Sequence, residues 1–209
     1  ATSLTRAGAE LIANMAEVRE VGLDEEVVLD APVSVTAAES PTSVQTNLEK
    51  VGAPDAWAMG YRGENRTICI IADGVNAEHS ALSSHWRGRV APIEQSWMNA
   101  ANPSTCGEQG TMMAGLICGD QTGVAPAAYW IGTKSLCGAA RLSDIIAALE
   151  WAADPDGDAA SFNDFPDAVC CAWSMNTACA DAAPATVWDI TDNVEALGPV
   201  VVFAVNSTK

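Results

Sequence analysis

The sequence predicts an α/β fold in three layers, a parallel sheet held between helices. Three observations lead there. Short, unbroken apolar runs such as Thr67-Ile68-Cys69-Ile70-Ile71 read as strands buried on both faces. Other segments place apolar residues three and four apart, the period of a helix face. The two kinds alternate as strand, helix, strand, helix, strand at the pitch of parallel crossover units.

Residues 6–16 carry Leu11, Ile12 and Met15 at helical spacing. Val18, Val21 and Val27-Val28-Leu29 follow as short apolar runs that read as strand. Residues 30–45 are rich in Ala, Pro, Ser, Thr and Val and include Pro32 and Pro41, which predicts an extended linker. The chain therefore divides into an N-terminal helix and strand (1–33), a linker (34–46) and a main α/β domain (47–209). In the main domain Pro54 suits a first helical turn and Gly60 a helix stop. A strand over 67–71 comes next, then a second candidate strand over 90–97 and a loop over 102–107. A helix is expected over 109–119, with Met113, Leu116 and Ile117 on one face, and a strand over 127–134. Residues 142–153 predict a helix with Ser143 as cap and Ile145, Ala148, Leu149 and Ala152 on one face. A polar, acidic loop (154–166) leads into a strand at 167–173. The helix over 186–197 shows Val187, Ile190, Val194 and Leu197 on one side, Gly198 stops it, and 200–205 is the last strand.

The chain has 209 residues and a net charge of −17. So acidic a chain does not bind nucleic acid, which needs clustered cations, and does not dock on anionic lipid. The longest apolar run is far shorter than the ~20 residues that span a bilayer. Seven cysteines are present, without a Cys-x-x-Cys pair, and the two histidines have no cysteine close by, so no zinc site is expected. Cys69 and Cys118 fall in apolar elements and read as core. Cys106, Cys137 and Cys179 fall in loop-like sequence and are available to form a disulfide. No Gly-x-Gly-x-x-Gly follows a strand and no Walker Gly-Lys-Ser/Thr occurs, so no cofactor is expected.

Two segments carry a family resemblance. Glu108-Gln109-Gly110-Thr111-Met112-Met113-Ala114-Gly115 with Gly123-Val124-Ala125-Pro126 resembles the His-Gly-Thr-His-Val-Ala-Gly segment of subtilisin-like serine proteases and their following Gly-Val-Ala-Pro. Asn47-Leu48-Glu49-Lys50-Val51-Gly52-Ala53-Pro54, leading to Ile70-Ile71-Ala72-Asp73-Gly74-Val75, resembles the start of the mature domain in subtilases of the bacillopeptidase F type. The resemblance implies a subtilisin-like sheet represented by its first five strands. It makes residues 1–33 similar to the end of a propeptide, a small module that assists folding and plugs the active site. An active relative would cut within 30–45. A secreted, extracellular or organelle-lumen location is what the family favours.

The family's chemistry needs a Ser nucleophile, a His base, an orienting Asp and an oxyanion Asn. The resemblance places Ala72 where the Asp should stand and Gln109 where the His should stand. Asp73 lies one residue along, so on a regular strand it points the other way and reads as a solvated turn residue. An amide has no usable proton affinity, so Gln109 is no general base. His79 matches a non-catalytic family position and His85 lies in a loop; both read as structural or solvated. Asn206 is a shifted match to the oxyanion Asn, and the Gly-Thr-Ser-Met-Ala-x-Pro segment that carries the Ser is not among residues 1–209. Ala172-Trp173-Ser174 matches the substrate-binding strand, with Ser174 in place of a Gly that leaves room for a peptide.

The expectation is a non-catalytic relative of a protease, a structural or interaction subunit of a larger assembly. Another protein chain would cover the apolar edge at Val200, Val201, Val202, Phe203, Ala204 and Val205. The alternatives are one half of a serine endopeptidase completed by another chain, and a peptide-binding decoy or inhibitor.

Overall fold

The computed structural model describes residues 3–29, 45–158, 160–161, 163–175 and 185–204. In chain order the elements are α1 (Arg6–Ala13), β1 (Glu26–Leu29), α2 (Thr46–Lys50), α3 (Ala53–Ala58), β2 (Thr67–Ala72), α4 (Gln109–Cys118), β3 (Tyr129–Lys134), β4 (Ala140–Arg141), α5 (Leu142–Ala153), β5 (Ala168–Cys171), β6 (Trp173–Met175), α6 (Ala185–Ala196) and β7 (Val200–Phe203). Short 3-10 turns fill Ser83–His85, Arg87–Arg89, Ile93–Gln95 and Met98–Ala100.

A parallel sheet runs in the order β3-β2-β5-β7. β2 is the hub: Cys69 lies opposite Ile131 of β3 and opposite Val169 of β5. Its residues Cys69 to Ala72 are wholly buried, as an unbroken apolar run requires when helices cover both faces. On one face, α5 turns in Leu142, Ile145, Ala148, Leu149 and Ala152, and α6 adds Val187 and Val194, against Cys69, Ile71, Ile131, Val169 and Cys171. On the other, Met113, Ala114 and Cys118 of α4 meet Ile70, Ala72 and Trp130. Trp130 is fully buried, and its indole N–H donates to the carbonyl of Leu82 at 3.0 Å, which removes the cost of burying that donor.

A second, smaller sheet places β1 between β4 and β6, antiparallel to both. The expected N-terminal helix and strand are present in shortened form: the helix ends at Ala13, and of the apolar runs Val27-Val28-Leu29 pairs as strand while Val18 and Val21 do not. α1 buries none of its residues, whereas β1 buries Val27 deep in the main core.

Three expectations need correction. The strand over 90–97 does not form. Val90, Ile93 and Trp97 are spaced by three and four, and the chain coils through 3-10 turns; Trp97 bridges to Gly132, and Trp97 and Ile93 pack against the core on that face of the sheet. The parallel sheet accordingly has four strands among the described residues rather than five. Ser143 does not cap α5. That helix starts after Arg141, whose N–H donates to Asp144, and the Ser143 hydroxyl donates to Asp24 instead. The strand over 167–173 is split at Ala172 into β5 and β6.

Of the loop cysteines, Cys106 and Cys137 are joined, 31 residues apart in sequence. Cys179 lies outside the described residues. The bond closes a loop that contains all of α4 and β3. Cys106→Ala/Cys137→Ala is expected to lose about 3–4 kcal/mol, read as a lower urea midpoint; an unchanged midpoint would mean the loop closes as well without the bond.

Candidate functional site

β2 ends at Ala72, and the chain turns at Gly74 so that the next side chain swings under the start of α4. Asp73 is 4% exposed, not solvated as its place after a strand suggests. Its Oδ1 accepts from the Gly110 N–H at 2.7 Å and its Oδ2 from the Gln109 N–H at 3.3 Å. A carboxylate on the first amides of a helix satisfies donors that the helix itself leaves unpaired, and it faces the positive end of the helix dipole.

Glycines make the approach possible. A Cβ on Gly110 would stand 2.1 Å from the Gly74 carbonyl oxygen and 3.0 Å from the Cβ of Ala72, and one on Gly107 would meet Asp73 Oδ2 at 2.1 Å. Gly115, by contrast, has room for a side chain; the buried member of the Ala114-Gly115 pair is Ala114. The Cys106 N–H donates to the Asp73 carbonyl and the Leu136 N–H to that of Ala72, both at 3.0 Å, so the disulfide holds the loops that close this corner.

Gln109 opens α4 and is 8% exposed. Its side-chain amide donates to the carbonyl of Ala172 at 3.2 Å, tying the helix to the point where β5 gives way to β6. The two histidines are engaged elsewhere. His79 Nδ1 accepts from the Ala81 N–H at 3.3 Å in an exposed turn. It lines a cavity of about 620 Å³ beside Thr111, Met112 and Leu116 of α4. His85 Nε2 lies 2.6 Å from a carboxylate oxygen of Asp120, beyond the C-terminal end of α4.

The strand Ala172-Trp173-Ser174 does receive an extended segment, and Ser174 does not prevent it. Leu29 pairs with Trp173, Val28 with Ser174 and Val27 with Met175, while Glu26 and Val27 face Arg141 and Ala140 on the other side. The guest segment is also anchored ahead of the strand. Asp24 Oδ1 accepts from the Ser143 N–H and its Oδ2 from the Ser143 hydroxyl, each at 2.9 Å, and the Leu142 N–H donates to the Glu25 carbonyl. The Ser143 N–H, more than the nearby Arg141 charge, holds the Asp24 carboxyl below its ordinary range. Alongside Val27, Val28 and Leu29 a cavity of about 310 Å³ opens toward Asp73, Cys106, Leu136 and Gly138. Asn206 and Val205 lie outside the described residues. Asp24, β4 and the capping role of Asp73 escape sequence reasoning, because a partner on a distant element leaves no local pattern.

Asp73→Ala would leave the Gln109 and Gly110 amides buried without their acceptor, an expected loss of about 2–3 kcal/mol. Urea unfolding measures it, and a change under about 0.5 kcal/mol would show that α4 is held by packing alone.

Comparison with known proteins agrees with this geometry. One curated relative, Bacillopeptidase F of Bacillus subtilis (strain 168), is 32% identical over 136 residues, 57% of this chain but 10% of that protein. A crystal structure of a cold adapted subtilisin-like serine proteinase superposes with a TM-score of 0.50 at 20% identity, covering 68% of this chain and 47% of its own, a likeness of fold. The chain thus spans under half the length of either. Residues 63–207 match the profile of the Subtilase family, which is more than half of the sequence, and the chain belongs to that family.

Proposed function

We propose that this subtilase chain is non-catalytic and acts as a structural and interaction subunit. One observation carries the reading: Ala72 ends β2 and Gln109 opens α4 at one junction, and the sequence resemblance sets them at the places of the family's acid and base. A serine nucleophile needs a base that takes its proton and an acid that orients the base. A methyl group does neither, and the Gln109 amide is committed to the Ala172 carbonyl. Asp73 does not stand in for Ala72: its carboxylate is turned onto the Gln109 and Gly110 amides, and the two histidines engage Ala81 and Asp120 instead. Losing the base of such a triad costs on the order of 10⁶ in turnover, a figure that comes from subtilisin itself.

The interaction half of the reading rests on β7. Val200 and Val202 are 57% and 51% exposed on the strand that ends the sheet among the described residues, where Glu195 accepts from the Val201 N–H. An apolar edge of this kind invites pairing unless further protein covers it.

A second reading, a peptide-binding decoy or inhibitor, is favoured by the seating of β1. A groove between β4 and β6 that accepts one strand through main-chain hydrogen bonds can accept another of similar apolar pattern once β1 leaves. Asp24 is the latch. Its carboxyl is held below its ordinary range in the folded state, so its contribution is present above that range and fades as pH falls through the lowered value.

Two measurements test these readings. A fluorophosphonate probe applied to the protein isolated natively, with whatever chains accompany it, should leave it unlabelled. Labelling that disappears on substitution of Gln109 or Asp73 would make it an enzyme. In the same preparation the chain should sediment as part of a larger assembly, since β7 amides bonded to β5 and Glu195 are protected in either case; a stable monomer would remove the interaction role. For the latch, Asp24→Asn should speed amide exchange in Val27 and Leu29 several-fold at neutral pH and leave β2 unaffected. The unaltered chain should loosen in the same way only below about pH 4. Equal exchange in both at neutral pH would show that Asp24 does not hold the segment.

A further inference from the structure

The geometry points to a divalent-cation site, of the calcium type, in the loop that joins α5 to β5. Asp154, Asp156 and Asp164 each bring one carboxylate oxygen within 4.8 Å of the other two. Acidic loops are common without a cation, so the clustering alone decides nothing. The state of the oxygens does. Asp164 is 1% exposed, and its Oδ2 accepts from the Asp156 N–H at 3.0 Å, but its Oδ1 is buried with no donor. Asp154 Oδ1 is likewise buried with no donor.

The nearest positive side chain does not answer them. Arg87 donates to the carbonyl oxygens of Asn163 and Asp164, not to the carboxylates. Asp156 is instead oriented by the Gln95 amide at 3.0 Å and the Asp158 N–H at 2.9 Å. Burial first, and then the charges of Asp156 and Asp154, push the Asp164 carboxyl above its ordinary range.

A buried, unpaired carboxylate beside two others is costly unless something positive is shared among them. A water would donate hydrogen bonds but bring no charge; a proton or a metal ion fits the space and offsets the charge as well. Three carboxylates with no nitrogen or sulfur among them are a hard-oxygen set, which suits calcium rather than zinc. The cation would tie the C-terminal end of α5, where Asp154 is the cap residue, to the approach to β5. That is the opposite end of β5 from Ala172, so the site is structural and lies apart from the groove. Sequence reading expects no metal here because it looks for cysteine and histidine spacing.

Calorimetric titration of the chelator-treated 209-residue chain with calcium chloride at neutral pH tests this. One saturable ion per chain is expected, with a dissociation constant of about 1 mM or tighter, and a melting temperature that rises with calcium. Asp164→Asn and the exposed Asp156→Asn should each weaken binding by about tenfold or more. Without calcium, Asp164→Asn should melt no lower than the parent, since it removes a buried charge without changing shape. Diffuse, non-saturating binding would overturn the proposal, as would unchanged affinity in both variants. So would a calcium-independent chain that is stabilised merely by lowering the pH, the mark of a proton shared between Asp156 and Asp164.

Discussion

The junction between the end of β2 and the start of α4 is the constraint on which the rest of the molecule depends. It brings together a buried carboxylate, two helix amides and two glycines that let backbones touch. Asp73 answers the amides of Gln109 and Gly110, and Gly110 can approach Gly74 only because it lacks a Cβ. The disulfide between Cys106 and Cys137 then fixes the two loops that flank the corner. With α4 held there, Met113, Ala114 and Cys118 fall over β2 and β3, and the second face of the sheet has its cover. The carboxylate at this corner caps a helix, and the first side chain of that helix is an amide.

A second helix is capped from elsewhere by the same logic. The first two amides of α5 are answered by the N-terminal segment, Leu142 N–H by the Glu25 carbonyl and Ser143 N–H by the Asp24 carboxylate. Two acids from distant places in the sequence thus sit on helix N-termini, where the dipole favours negative charge. Part of the acidity of the chain is therefore structural rather than merely solvating. Both caps also border β1: Asp24 anchors its entry, and Asp73 lines the cavity alongside Val27, Val28 and Leu29.

Periodicity made much of the main sheet legible. The apolar run at 67–71 and the helix at 142–153 could be read directly, because burial on a fixed face dictates residue spacing. The segment at 90–97 misled because aromatic and branched residues suggest strand, while their spacing by three and four fits the 3-10 turns that form. Asp73 misled for a different reason. Alternation predicts direction only while the strand continues, and β2 ends one residue earlier. The Ala72 and Gln109 positions were legible because a family motif flags a place even when its side chain has changed. The seating of β1 and the donor-poor oxygens of Asp154 and Asp164 were not, since each depends on which distant groups arrive, and that is a property of the tertiary structure.

The two faces of the sheet are unequal. α5 and α6 span the whole width of one face, and Val201 and Phe203 of β7 pack into that core. Side chains alternate along a strand, so Val200 and Val202 point to the other face. There α4 covers β2 and β3 but does not reach β7, and both valines stay more than half exposed. Burying such a side chain fully is worth about 1.5–3 kcal/mol, of which roughly half is still to be gained at each of these valines. Ile68 and Cys170, partly buried on the same face, extend it inward from the edge. The strip is therefore a surface as well as an edge. Protein that covers it gains from packing against the valines as well as from pairing with the β7 backbone, and the first of these survives where strand pairing does not.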